Sequence, residues 1–349
     1  MIEEQIFIKR CFELARLAIG RVNPNPLVGA IIVNNGMIIS EGYHQFYGGP
    51  HAEVNAISAI KDKQILTQST LYVSLEPCNN YGKTPPCVDA ILRYKIPKVV
   101  ISTIDQNPTT MGQSIKKLKD AGVQVKINVL QSEGEYLVSD FFTSIKFKRP
   151  YIILKFAKTV NDKIGIYDKN IWISNAYTKR LTHKWRSEIN AIIVGSKTLI
   201  VDNPRLDNRL YFGNSPIKIL LKRDGLLPPS IAAWHSKGKK ILVSEKKNEI
   251  PESAHYENWR FAFDENLLSN ILQKLHKQGI QSLLVEGGAT LIQSFIDQNL
   301  WDESRVYISP NIITDKDAID APKLGGIVSK KYQIARDILE IRRNYNVNF

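Results

Sequence analysis

The feature that most constrains this chain is a recurrence of short apolar runs, rich in Val, Ile and Leu, with helical patterns between them. LYVSL (71–75), VVISTI (99–104), YIILKFA (151–157), AIIVG (191–195), IKILL (217–221), KKILVS (239–244), SLLVEGG (282–288) and SRVYISP (304–310) are all of strand length. Between them, helical spacing is clear at 4–20, where Phe7, Cys11, Leu14, Ala15 and Ala18 form a stripe, at about 52–59 and at 264–278. LVGAIIV (27–33), the turn Asn34-Asn35-Gly36 and MIISEGYH (37–44) read as a hairpin. Strands that alternate with helices predict an α/β fold of layered sheets.

At 349 residues the chain is long for one domain. The helical segment 131–147 ends in KFKRP, and Pro150 opens a new strand. Two domains are therefore expected, 1–148 and 149–349. No apolar run reaches membrane-spanning length, and Glu3 and Glu4 with further charges make the N-terminus unlike a signal peptide. A soluble cytoplasmic protein with no membrane partner is the expectation. Three cysteines are too few for a disulfide framework, and Cys11, on the apolar stripe, belongs to a core. The net charge of +13 raises nucleic acid as a partner, but the basic residues are scattered and lack interleaved aromatics. A solvated basic surface, or one suited to small phosphates, fits better, so no nucleic-acid partner is expected.

Chemistry concentrates in PHAEVNA (50–56) and EPCNNYGKTPPC (76–87). His51, Cys78 and Cys87 make a three-ligand zinc set that leaves a fourth position open, as a catalytic zinc requires. Glu53, one residue from His51, is placed to move protons and is not needed as a ligand. A lone His at a helix start is more often a cap, and two distant cysteines are more often small hydrophobes. The conjunction of His-x-Glu with Pro-Cys is the zinc-deaminase signature, and it decides for the metal.

NPNPLVGA (23–30), His44, PHAEVNA and EPCNNYGKTPPC resemble the deaminase domain of the RibD family of riboflavin biosynthesis, within the cytidine-deaminase-like superfamily. Nucleic-acid deaminases usually keep two residues between their cysteines, and this chain has eight. The resemblance implies a three-layer α/β/α domain that deaminates 2,5-diamino-6-ribosylamino-4(3H)-pyrimidinone 5′-phosphate, an activated water attacking the ring carbon that bears the amine. It also implies substrate positions at Asn25, His44, Lys83, Asp105 and Asn107. Asn25 and Asp105 suit a pyrimidine edge, and Lys83 suits a phosphate. Asn80 stands where the family usually has His, so this loop's hold on the phosphate differs.

KFAKTVNDKIG (155–165), NIWIS (170–174), KWRSEINAIIVGSKTLIVDNPRLDNR (184–209) and LLVEGGATL (283–291) resemble the reductase domain of the same family. This implies a dihydrofolate-reductase-like α/β domain that uses NADPH to reduce the ribosyl group to ribityl. The cofactor positions it implies are Ala157, Trp172, Thr198, Asp202, Gly288, Ala289, Thr290, Leu291, Ile292, Gln293 and Ser294. The substrate positions are Asn170, where the family commonly has Ser, Arg186, Leu206, Arg209 and Glu286. Lys155 and Asp202 are candidates for orienting groups at the reacting carbon. Arg186 and Arg209 are reasonable clamps for a 5′-phosphate, because a guanidinium can bond two oxygens at once. Gly-Gly after a strand lets backbone N–H groups approach a phosphate, though alone it is more often a tight turn. A homo-oligomer is plausible from the family alone. Two other readings remain: a nucleic-acid deaminase with an accessory domain, opposed by the cysteine spacing, and a non-catalytic zinc-stabilised module, opposed by the lack of a fourth ligand near these motifs.

Overall fold

The computed structural model describes residues 2–82, 84–246 and 256–345, so Lys83 lies outside the described residues. The chain separates into two compact units, parting between Lys148 and Arg149. Among the described residues, no helix is long and apolar enough to cross a membrane.

The first unit opens with α1 (Ile2–Arg16), whose Glu3 and Glu4 sit at the positive end of the helix dipole and Arg16 at the negative end. The chain then turns through Gly20, so the helix stops a turn earlier than its sequence pattern suggested. The hairpin forms as expected from β1 (Gly29–Asn34) and β2 (Met37–Tyr43). Asn35 and Gly36 both take positive φ, 49° and 75°, as a tight two-residue hairpin turn requires. There follow α2 (Ala52–Ala59), β3 (Thr70–Leu75), α3 (Cys87–Arg93), β4 (Lys98–Thr103), α4 (Gln113–Asp120), β5 (Gln124–Lys126), α5 (Gln131–Leu137) and α6 (Ser139–Phe147). β5 has only three residues, fewer than the run 123–129 suggested, and the helical segment 131–147 breaks at Val138.

The sheet order is β2-β1-β3-β4-β5, with β1 antiparallel to both neighbours and β3, β4 and β5 parallel. On one face Phe7, Ile8 and Phe12 of α1 join Tyr72, Leu137 and Phe142. On the other, Ala56 and Ile57 of α2, Ile91 of α3 and Leu118 of α4 pack over Val73 and Ile101. Both faces are covered, which gives the three-layer α/β/α arrangement. Cys11 is fully buried in the first cluster, as its place on the stripe predicts.

The second unit runs β6 (Tyr151–Thr159), β7 (Lys163–Ile166), α7 (Ala176–Glu188), β8 (Ala191–Gly195), α8 (Ser196–Val201), β9 (Ile217–Leu221), α9 (Ala232–His235), β10 (Lys240–Ser244), β11 (Glu257–Arg260), α10 (Leu267–Lys277), β12 (Ser282–Glu286), α11 (Ala289–Asp297), β13 (Glu303–Ser309), β14 (Ala318–Asp320), β15 (Ile327–Ile334) and β16 (Asp337–Arg343). The main sheet has the order β11-β10-β9-β8-β12-β6-β13-β16-β15. It is parallel from β11 to β13, and its two last strands are antiparallel. The central strands are continuous apolar runs because helices cover them, with Ile271, Leu275, Ile292 and Phe295 packed on Ile193, Leu283 and Val285. α7 begins at Asn175, whose side chain accepts from the backbone N–H of Tyr177 and Thr178.

Candidate functional site

Each ligand candidate of the first unit sits at or just beyond the end of an element. His51 is the N-cap of α2, Cys78 follows β3, and Cys87 is the first residue of α3. His51 Nδ1 lies 3.3 Å from Cys87 Sγ and 3.4 Å from Cys78 Sγ, and all three donor atoms fall within 4.8 Å of one another. A tetrahedral zinc with ordinary Zn–S and Zn–N bonds has an N–S edge of about 3.5 Å. The donors therefore stand at ligand spacing, and their chemistry fits zinc. Among the described residues, no fourth His, Cys, Asp or Glu joins them. Contact between the two thiols lowers the pKa of Cys78 and raises that of Cys87, and His51 favours the Cys78 thiolate further.

Glu53, in the first turn of α2, is 3% exposed, and burial raises its pKa. The His44 ring packs edge-on against that of His51, with centroids 5.4 Å apart. His44 Nδ1 is 3.0 Å from the Pro50 carbonyl, which can only accept, so the proton is assigned there and Nε2 accepts from Asn25 Nδ2 at 3.0 Å. Burial lowers the His44 pKa and keeps this neutral form. The amide of Asn25 is thereby oriented.

The loop after β4 holds Asp105 and Asn107. Burial pushes Asp105 up to about 6, while its Oδ1 accepts from the Asn107 N–H. Asn107 directs its own oxygen to the N–H and hydroxyl of Thr109. Sequence reasoning missed Glu76, whose buried Oε2 accepts from the N–H groups of Asp105 and Gly112 and so pins this loop. Asn80 donates to the Thr109 carbonyl at 3.0 Å, clasping the cysteine loop to the Asp105 loop. Its donor thus has a protein partner.

In the second unit the functional positions gather along a cavity of about 1080 Å³ at the C-terminal ends of the parallel strands, where open α/β sheets bind ligands. Ala157, Trp172, Thr198 and Asp202 line it, with Gly288, Ala289, Thr290, Leu291 and Ser294 at the start of α11. Ile292 and Gln293 of the same segment do not. The helix turns Ile292 fully into the core, and Gln293 is hydrogen-bonded to Asp297 and to the Lys323 N–H. A Cβ added at Gly288 would meet the protein only at Thr198 Oγ1, at 3.6 Å, so the protein's own packing does not demand the glycine. It leaves the helix N-terminus open to close approach, a fit to a dinucleotide's phosphates. Asp202, whose pKa is raised by burial, faces the same space.

Lys155, Asn170, Arg186, Leu206, Arg209 and Glu286 also line the cavity. Lys155 and Glu286 are register partners on adjacent strands β6 and β12, with Nζ 3.8 Å from Oε2. Arg186 donates from Nε and Nη2 to the two oxygens of Glu286, both at 2.7 Å, and from Nη1 to the Asp207 carbonyl at 3.0 Å. Three of its five N–H donors are thus used to hold Glu286 and the Asp207 carbonyl, which leaves one N–H on each terminal nitrogen. Glu286 is buried, yet Arg186 and Lys155 bring its pKa down to about 2, and burial lowers that of Lys155. Asp207, also missed, pairs with Arg209 at 2.5 Å and Arg205 at 3.2 Å.

Residues 150–336 match the RibD C-terminal domain, and residues 1–103 match the cytidine and deoxycytidylate deaminase zinc-binding region. The riboflavin biosynthesis protein RibD of Aquifex aeolicus is 37% identical over 311 residues, covering 88% of this chain and 87% of its own. This chain belongs to the RibD family. Members are bifunctional deaminase and reductase enzymes of riboflavin biosynthesis, and the His51, Cys78 and Cys87 cluster lies in the matched zinc-binding region. The Synechocystis RibD is 32% identical over 90% of this chain and 86% of its own. A crystal structure of a diaminohydroxyphosphoribosylaminopyrimidine deaminase/5-amino-6-(5-phosphoribosylamino)uracil reductase from Thermotoga maritima superposes with a TM-score of 0.88. It is 33% identical and covers 98% of this chain and 99% of its own. The RibD family therefore accounts for both units.

Proposed function

We propose that this enzyme carries out two successive steps in the cytoplasm on a small phosphorylated pyrimidine, with no nucleic-acid partner. The first is hydrolytic deamination of 2,5-diamino-6-ribosylamino-4(3H)-pyrimidinone 5′-phosphate to 5-amino-6-(5-phosphoribosylamino)uracil. The second is NADPH-dependent reduction of the ribosyl group to ribityl. The observation that carries the reading is the donor set of His51, Cys78 and Cys87 with Glu53 beside it.

When bound there, zinc supplies Lewis acidity that brings the pKa of a water from 15.7 toward about 7. Glu53 takes a proton from the attacking water and returns it to the ring nitrogen, then helps the amine leave as ammonia. Its burial suits a group that must hold a proton between transfers. Asn25, oriented by His44, and Asp105, pinned through Glu76, read the polar edge of the pyrimidine. A contact to the substrate's phosphate is assigned to Lys83 on its residue type alone.

In the second unit, bound NADPH supplies the hydride that C1′ of the sugar accepts. The open start of α11, where the Gly288 N–H donates to Thr198 Oγ1 at 2.9 Å, would receive its phosphates. Ala157 and Trp172, which line the cavity, would hold the cofactor, and Asp202 would orient the reacting carbon. Lys155, whose burial makes it release a proton more readily, serves the sugar oxygen as the ring opens. Arg209 holds the 5′-phosphate, and Arg186, with three of its five N–H donors spent on Glu286 and Asp207, has two left for it.

Purified protein is given the diamino substrate, zinc and NADPH, while ammonia and the NADPH absorbance are followed together. Ammonia release and NADPH oxidation in equal amounts are expected. Ammonia without NADPH oxidation would remove the reductase half, and deamination of a single-stranded oligonucleotide in place of the pyrimidine would remove the whole reading.

A further inference from the structure

Besides Lys179, Thr182 and Arg186, α7 carries His183 into the reductase cavity, three residues before Arg186 and so on the same helix face. It is 2% exposed, and its Nδ1 is buried with no hydrogen-bond partner among the described residues. A buried polar atom left unpaired costs stability, and native structures keep few of them without a reason. Its neighbours explain the position without satisfying it. Arg186 spends three of its five N–H donors on Glu286 and the Asp207 carbonyl, and Arg209 is held by Asp207 through one nitrogen.

We propose that His183 is a substrate-contacting residue of the reductase site, hydrogen-bonding an oxygen of the phosphorylated sugar next to Arg209. The proposal rests on the reductase reading given above and adds a residue to it. Burial, and then the charges of Arg186 and Arg209, bring the His183 pKa down to about 4, so at neutral pH the ring is uncharged. An uncharged imidazole offers one N–H and one acceptor nitrogen, which suits a hydroxyl or a phosphate oxygen equally. The division of labour is then plain: Arg209 supplies charge, and His183 supplies a fixed direction.

The test uses full-length protein with His183→Leu and His183→Asn. Reduction of 5-amino-6-(5-phosphoribosylamino)uracil is followed by NADPH absorbance, binding of D-ribose 5-phosphate by calorimetry, and NADPH binding by fluorescence. His183→Leu should raise KM and weaken ribose 5-phosphate binding by about tenfold, the scale of one hydrogen bond, with kcat and NADPH affinity little changed. The melting temperature should not fall, because the substitution removes an unpaired buried atom. His183→Asn, which keeps a polar atom near the Nδ1 position, should recover part of the loss. A fall in melting temperature with KM and ribose 5-phosphate binding unaltered would make His183 a packing residue and overturn the proposal. Unaltered values in both variants would overturn it too. If wild-type protein neither oxidises NADPH nor binds ribose 5-phosphate, the reductase reading and this proposal fail together. A competent wild type beside unaffected variants removes His183 alone.

Discussion

In the first unit three donor atoms crowd together within 4.8 Å, with the ring of His51 beside both thiols. In the second, the charges lining the cavity already answer one another, with Glu286 held between Arg186 and Lys155, and Asp207 between Arg205 and Arg209. The first arrangement is completed by a metal and the second by the protein itself. A site of the first kind should fail all at once when a ligand is lost. A site of the second kind should lose folding stability together with chemistry.

The largest effect is expected at the metal ligands. Cys87→Ala, or exhaustive chelation of the wild type, should abolish ammonia release while NADPH-dependent reduction of the already deaminated pyrimidine continues. Zinc content by atomic absorption should drop from about one per chain to near zero. Loss of both activities on chelation would erase the contrast between the sites.

Next comes Glu286→Gln. Removing one member of a buried ion pair leaves Arg186 and Lys155 uncompensated, at a cost of about 3–5 kcal/mol. Reduction should disappear and the second unit should melt earlier in calorimetry, with deamination retained. The same carboxylate gives a pH dependence. Its folded pKa, about 2, lies below the ordinary value of 4.5, so its stabilisation is complete above about pH 4.5 and is lost as pH falls toward 2. Acid unfolding of the Glu286→Gln variant should be flatter than wild type across that window. Parallel acid titrations would contradict the assigned ion pair.

The smallest effect is expected at Asn80. Its exposed side chain makes one hydrogen bond to Thr109, worth about 1 kcal/mol at most. Asn80→Ala should therefore raise the deaminase KM by a few-fold and leave zinc content unchanged. A large loss would mean that the amide grips the substrate itself.

These contrasts track what the sequence made legible. The ligand set could be read because its chemistry is carried by residue type and spacing: His51, Glu53, Cys78 and Cys87 announce themselves within two short motifs. The parallel core strands were equally plain, being continuous apolar runs. The commitment of Arg186 to Glu286 was hidden, because the partners are 100 residues apart and only the pairing of β12 between β6 and β8 brings them together. Ile292 and Gln293 were placed on the cofactor by a motif that runs along the chain, whereas the helix presents only one of its faces. Asn80 could be seen as a departure from the family, but its bond to Thr109 depends on how two loops meet. The antiparallel hairpin of β15 and β16 escaped notice since β15 is exposed along nearly its whole length and shows no apolar alternation.

Glu53→Gln tests most directly whether one chain holds two separable chemistries. The purified variant, loaded with zinc, is offered the diamino substrate with NADPH, and then the deaminated pyrimidine with NADPH. With the first, ammonia release should fall by about 10²–10⁴-fold, and NADPH oxidation with it. With the second, NADPH oxidation should match wild type, and bound zinc should stay near one per chain. Undiminished ammonia release, or loss of zinc from the variant, would contradict the role given to Glu53 and the separation of the two sites.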